Sequence, residues 1–193
     1  EVAERVDREV SLAPLRWSIA HLHDATPQTL ARMKALGMGW LMQDGLYFAT
    51  PSYFGARSRE TVARIPPIVS AIRMGLPVGG GTDANRVMNY NPFVSLQWML
   101  DGLTVNGTVT RDETEIPTRE QALRLYTQGS AWFTRDEKAR GLLVPGAHAD
   151  LAVLSQDILT VPTADIGRTE SLLTMIGGRV VYAVGSFARH DKP

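Results

Sequence analysis

Hydrophobic positions along the chain change period several times. Val2, Val6 and Val10 stand four apart with charges between them, which is one face of a helix, and Pro14 limits it. Over residues 16–21, Trp17 and Ile19 alternate against Arg16 and Ser18, a short strand pattern ending in His21. Asp24-Ala25-Thr26-Pro27 then opens a helix that runs through Leu30, Met33, Lys34 and Leu36, and Gly37 closes it. Residues 39–43 form a short apolar run, suited to a strand buried on both faces.

A loop carrying Tyr47, Phe48, Tyr53 and Phe54 follows. Such aromatics suit a pocket wall or lid as well as they suit packing beneath the loop. Residues 61–74 read as a helix, with Pro66 and Pro67 either kinking it or delaying its start. Residues 76–83 are a third strand, ending in three glycines, Thr82 and Asp83; a helix follows over 91–100. The order β-α-β-α-β-α, with strands recurring at the period of βα units, predicts a parallel α/β sheet.

The second half differs. After a polar loop over 101–117, Thr118 and Gln121 have the spacing of a capping box, opening a helix that runs to Phe133. Strands are expected at 149–154, 172–176 and 179–184, the last two joined by Gly177-Gly178, a hairpin signal. We therefore divide the chain into an α/β part, residues 1–140, and a small antiparallel β part, residues 141–193.

Composition narrows the function. The chain has 193 residues, and its 20 basic and 20 acidic side chains balance, so nothing offers the basic footprint that nucleic acid or an anionic membrane needs. There is no cysteine, hence no disulfide, thiolate ligand or cysteine nucleophile. No apolar run reaches the length of a membrane span. A cytoplasmic location is favoured, with an N-terminal targeting signal left open; a homo-oligomer is compatible with the sequence.

Candidate chemistry sits at strand ends. His21 ends the first strand and Asp83 the third, and in parallel α/β barrels the active site lies at the C-terminal ends of strands. An imidazole and a carboxylate are ordinary ligands for zinc, and a carboxylate there also takes a proton from water. His23 falls beside a helix start and reads first as a loop or capping residue. Asp44 follows the second strand with no visible partner. Asn85 and Arg86 follow Asp83 and are weaker candidates to orient a substrate. His148 and His190 read as surface residues. Residues 79–81 lack the Lys-Ser/Thr of a phosphate loop, so close approach at a crowded strand end is the expected use of these glycines.

Several segments together resemble the amidohydrolase superfamily: Arg16-Trp17-Ser18-Ile19-Ala20-His21, Gly80-Gly81-Thr82-Asp83-Ala84, Asn91-Pro92, residues 141–154 and Met175-Ile176-Gly177-Gly178-Arg179-Val180-Val181-Tyr182. The branch is similar to amidohydrolase family 3, the YtcJ-like group that includes N-substituted formamide deformylases. The resemblance implies a metal-dependent (β/α)8 TIM barrel with an appended β-sandwich. His21 would match the strand 6 histidine, residues 40–43 strand 7, and Asp83 the strand 8 aspartate. Ala20 and Thr82 depart from the branch, which often has Glu and Ser there.

The resemblance also implies one or two divalent metal ions, zinc being the expected one, and hydrolysis of amide or other non-peptide C–N bonds in a small-molecule substrate. Asp83 would be the catalytic base, and His21 and Asp83 metal ligands. On this reading strands 1 to 5 are missing. The chain is then a C-terminal piece, inactive alone, whose partner is the N-terminal part of the same barrel. A non-catalytic remnant that binds a partner, and a different, phosphate-binding α/β barrel enzyme, are the alternatives.

Overall fold

The computed structural model describes residues 1–49, 51–84 and 88–190. Three parallel strands form one sheet in the order β1 (Ser18–Ala20), β2 (Gly39–Gln43), β3 (Val78–Gly81). Ala20 pairs with Leu41, and Gln43 with Gly81, so the chain leaves β1, β2 and β3 at one end of the sheet. The second sheet is antiparallel, in the order β4 (Leu151–Leu154), β5 (Ser171–Ile176), β6 (Arg179–Ala183). Gly177 and Gly178 join β5 to β6 with φ of 56° and 79°, the left-handed pair that a two-residue hairpin turn demands and glycine supplies without strain.

Helices cover the parallel sheet. Helix α1 (Val2–Glu9) precedes β1, and the valine face that predicts it is open, with Val2 67% and Val10 58% exposed. Helix α2 (Pro27–Ala35) starts where expected: the Thr26 side chain accepts from the Thr29 N–H at 3.2 Å, and Leu30 and Met33 turn inward. Between β2 and β3 the chain is more broken than the sequence suggests. The aromatic loop holds α3 (Pro51–Gly55), and the helix expected over 61–74 becomes α4 (Arg59–Val62) and α5 (Ile68–Arg73). Pro66 and Pro67 have no N–H to continue a helical ladder, so the regular turns resume only after them.

Helix α6 (Pro92–Asp101) follows β3, its first turn capped by the Asn91 side chain, which accepts from the Phe93 N–H at 2.9 Å. The capping box of Thr118 and Gln121 opens α7 (Arg119–Arg124), as expected. Residues 119–133 run as one helical segment, but Leu125–Gly129 is a π turn before α8 (Ser130–Phe133). This wide turn presses the segment onto β3. A Cβ on Gly129 would lie 2.3 Å from the Val78 carbonyl oxygen, and the Ser130 hydroxyl donates to the Gly80 carbonyl at 2.9 Å. The rings of Phe133 and Tyr126 fill the space where Gly79 and Gly80 lack side chains. The crowding expected at this strand thus comes from the helical segment over 119–133.

One core joins Leu30 and Met33 of α2, Trp40 and Met42 of β2, Val78 of β3, Trp98 and Met99 of α6, and Leu125. Trp40 and Trp98 are fully buried. The connector between β4 and β5 returns to this core and plants Ile158 and Ile166 in it. Strand β1 stands apart: all three of its residues are exposed, and its flanking Trp17 is 46% exposed. Parallel sheets are normally covered on both faces, so β1 lacks the cover that β2 has. Among the described residues no helix is long and apolar enough to cross a membrane.

Candidate functional site

Immediately beyond β1 the backbone turns sharply, with His21 and Leu22 both at positive φ, 65° and 52°. Sparse conformations of this kind persist only where surrounding bonds enforce them. Here β2 does so. The His21 N–H donates to the Leu41 carbonyl at 3.0 Å and to the Gln43 side-chain oxygen at 2.8 Å. The indole N–H of buried Trp40 donates to the His21 carbonyl at 2.6 Å. Asp83, two residues beyond β3, also has positive φ, 56°. The two turns bring the side chains together, with His21 Nε2 3.8 Å from Asp83 Oδ2 and both half open to solvent. The pairing expected from two strand ends is therefore present in space.

This spacing fits two donors to one ion. Tetrahedral zinc bonds of about 2.0–2.2 Å put neighbouring donor atoms roughly 3.4 Å apart, so a small side-chain adjustment closes the difference. Two donors are fewer than the three protein ligands of a typical catalytic zinc site. Among the described residues no group of three or more His, Asp or Glu side chains could hold a metal ion.

Around the pair lies an open cleft of about 490 Å³. His21, His23 and Asp83 line it together with Leu46, Phe48 and Tyr53. His23 thus shares the cleft, its ring edge-on to His21 with centroids 6.1 Å apart. It caps no helix, since Thr26 caps α2. Burial pushes the His23 imidazole down to about 4, and the neighbouring His21 adds to the effect. It is neutral near pH 7. Its Nδ1 is buried and without a hydrogen-bond partner among the described residues.

Asp44 has the partner that sequence did not reveal. It follows β2 directly and is fully buried. The hydroxyl of Ser95, on α6, donates to Asp44 Oδ2. Asp44 Oδ1 has no partner among the described residues. Burial pushes this carboxyl up to about 7, and the charge of Asp83 adds to the rise. The Tyr126 hydroxyl reaches the same cluster, close enough to Ser95 and Asp44 to feel both, and burial raises it too. The signal for this cluster was a carboxylate just past a buried strand, but its serine and tyrosine come from helices far along the chain. His148 and His190 are exposed, as expected. Asn85 and Arg86 lie outside the described residues.

The aromatic segment is tied to the His21–His23 turn. Arg57 donates through Nε and Nη2 to Asp24 Oδ2 at 3.0 and 2.8 Å, and its guanidinium lies 3.7 Å from the centre of the Tyr53 ring. The Tyr53 hydroxyl donates to Asp24 Oδ1 at 3.2 Å. The cleft wall and the histidine turn therefore share one ion pair.

Known proteins of similar sequence and fold bear on the family. Putative amidohydrolase YtcJ of Bacillus subtilis (strain 168) is 32% identical over 114 residues, 58% of this chain and 21% of that protein. An uncharacterized metal-dependent hydrolase from Pyrococcus furiosus superposes with a TM-score of 0.62 at 28% identity, covering 82% of this chain and 31% of that one. A variant of atrazine chlorohydrolase TrzN from Arthrobacter aurescens TC1, complexed with zinc and atraton, gives a TM-score of 0.62 at 18% identity, over 86% of this chain and 36% of that one. The chain thus spans about a fifth of the curated relative and about a third of these solved chains. The sequence profile of the Amidohydrolase family matches residues 1–182, and on that match the chain belongs to the amidohydrolase family.

Proposed function

We propose that this chain carries part of the active site of a metal-dependent hydrolase of amide or other non-peptide C–N bonds. The observation that carries the reading is the meeting of His21 and Asp83, 3.8 Å apart, beyond the ends of parallel strands in an amidohydrolase-family chain. We read β1, β2 and β3 as strands 6 to 8 of a (β/α)8 barrel, with the antiparallel module beside it. The remaining strands belong to a longer polypeptide. The much greater length of the relatives and the uncovered face of β1 support this.

His21 through Nε2 and Asp83 through Oδ2 would hold a divalent metal, for which the zinc in the atrazine chlorohydrolase structure makes zinc the first choice. When bound, it supplies Lewis-acid polarisation of a carbonyl and lowers the pKa of water. Asp83 accepts the proton of the attacking water at a carboxylate oxygen and returns it to the departing nitrogen, so the leaving group departs as a neutral amine. His21 is fixed for its part by backbone: β2 and the Trp40 indole hold the turn, leaving the imidazole free to face Asp83. Neutral His23 adds no charge that would compete for Asp83. Burial, and then the charge of Asp83, favour the neutral form of Asp44.

Asp83→Asn in the full-length polypeptide tests the assignment. Amide hydrolysis falls by about 10²–10⁴ with the fold retained. Turnover at the wild-type rate would remove Asp83 from the reaction.

A further inference from the structure

The cleft that His21 and Asp83 line also has an apolar wall. Leu46, Phe48 and Tyr53 form it, and Phe48 is 49% exposed within it. An aromatic ring left half open to solvent beside a reaction centre is apolar surface available to a ligand. The wall is also held in place. Phe48 lies edge-on to Tyr47, with centroids 5.0 Å apart, and Tyr53 lies edge-on to buried Phe54 at 5.2 Å. Arg57 stacks on the Tyr53 ring, donates to the Tyr53 carbonyl at 2.6 Å and pairs with Asp24. No described residue of the wall offers a cation to a carboxylate or a carboxylate to an amine.

We propose that Phe48 and Tyr53 form a specificity subsite for an uncharged aromatic or bulky apolar substituent on the amide presented to Asp83 and His21. The inference rests on the hydrolase reading for its substrate class and on the cleft wall for its selectivity. A substituent of this kind lies against the Phe48 ring and is displaced from water. A carboxylated substituent there would lose its hydration and meet no counter-charge.

Equilibrium binding and hydrolysis, measured in parallel on the full-length polypeptide, separate the two layers. Four small amides serve: N-methylacetamide, N-benzylacetamide, N-methyl-2-phenylacetamide and N-acetylglycine. At least one phenyl-bearing amide binds about 10-fold or more tighter than N-methylacetamide, and N-acetylglycine gains nothing. Phe48→Ala removes most of that preference, and Phe48→Asp removes it as well; both sit at a half-open position where the fold tolerates change. A preference below threefold, one that survives both variants within threefold, or tighter binding of N-acetylglycine overturns the subsite. If the preference is present and no amide is hydrolysed, the hydrolase reading falls and the subsite stands. If amides are hydrolysed without preference, the subsite alone falls.

Discussion

Strands β1 and β2 are neighbours in one sheet, yet they live in different environments. β2 carries fully buried Trp40 and Met42 and is covered by α2 and α6. β1 has no buried residue, and α1 beside it buries none either. The two arms of the candidate site inherit this difference. Asp83 is near enough to buried Asp44, which Ser95 partners, to raise its pKa, whereas His21 is held through its backbone by Leu41, Gln43 and Trp40 of β2. Among the described residues, the neighbourhood of Asp83 is thus more buried than that of His21.

Core truncations break the comparison most strongly. Trp40→Ala or Trp98→Ala costs about 3–5 kcal/mol, because each removes a fully buried ring and leaves a cavity. Trp17→Ala, beside exposed β1, or Ile19→Ala, on it, costs under about 1 kcal/mol in the same 193-residue chain. Urea unfolding of the four variants measures both. In the full-length polypeptide the β1 substitutions become as costly as core ones if neighbouring strands cover them.

Charge sharpens the contrast in two opposite directions. Asp44, raised to about 7 in the fold, binds its proton more tightly there than in the unfolded chain. Its contribution is full at low pH and is lost as pH rises from about 4 to 7, on the order of 4 kcal/mol. His23, lowered to about 4, opposes this: the fold disfavours its cation, so stability is gained as pH rises from about 4 to 6.5, on the order of 3 kcal/mol. In the wild type the two slopes largely cancel between pH 4.5 and 6.5. Asp44→Asn leaves a stability that rises with pH across that window, and His23→Gln leaves one that falls. Equilibrium unfolding at four pH values shows whether the slopes separate.

The smallest expected effect concerns the ion pair that ties the cleft wall to the histidine turn. Arg57→Lys keeps a charge for Asp24 but loses the planar stack on Tyr53 and the paired N–H donors. Tyr53 becomes more mobile, with global stability changed by about 0.5 kcal/mol or less. Ring-proton relaxation of Tyr53 by NMR reads this.

Much of this was legible in the order of residues. The periodicity gave three parallel strands and a hairpin because apolar alternation, helix caps and paired glycines act locally. His21 and Asp83 were legible because strand ends in parallel sheets converge. What was hidden depends on long-range packing. Asp44 meets Ser95 and Tyr126, 51 and 82 positions further on, and no local pattern connects them. His23 read as a loop residue because its sequence neighbours are those of a helix start; its place in the cleft comes from the left-handed backbone of His21 and Leu22, which β2 enforces. The broken helix after Pro67 was half visible, since proline marks an interruption without saying how long it lasts.

If His21 and Asp83 act together on one divalent metal, both set its affinity. The most direct measurement is zinc affinity of the full-length polypeptide, by competition with a chelator, for the wild type, His21→Ala and Asp83→Asn. Each substitution is expected to weaken zinc binding by about 10-fold or more. Wild-type affinity in both variants would contradict it.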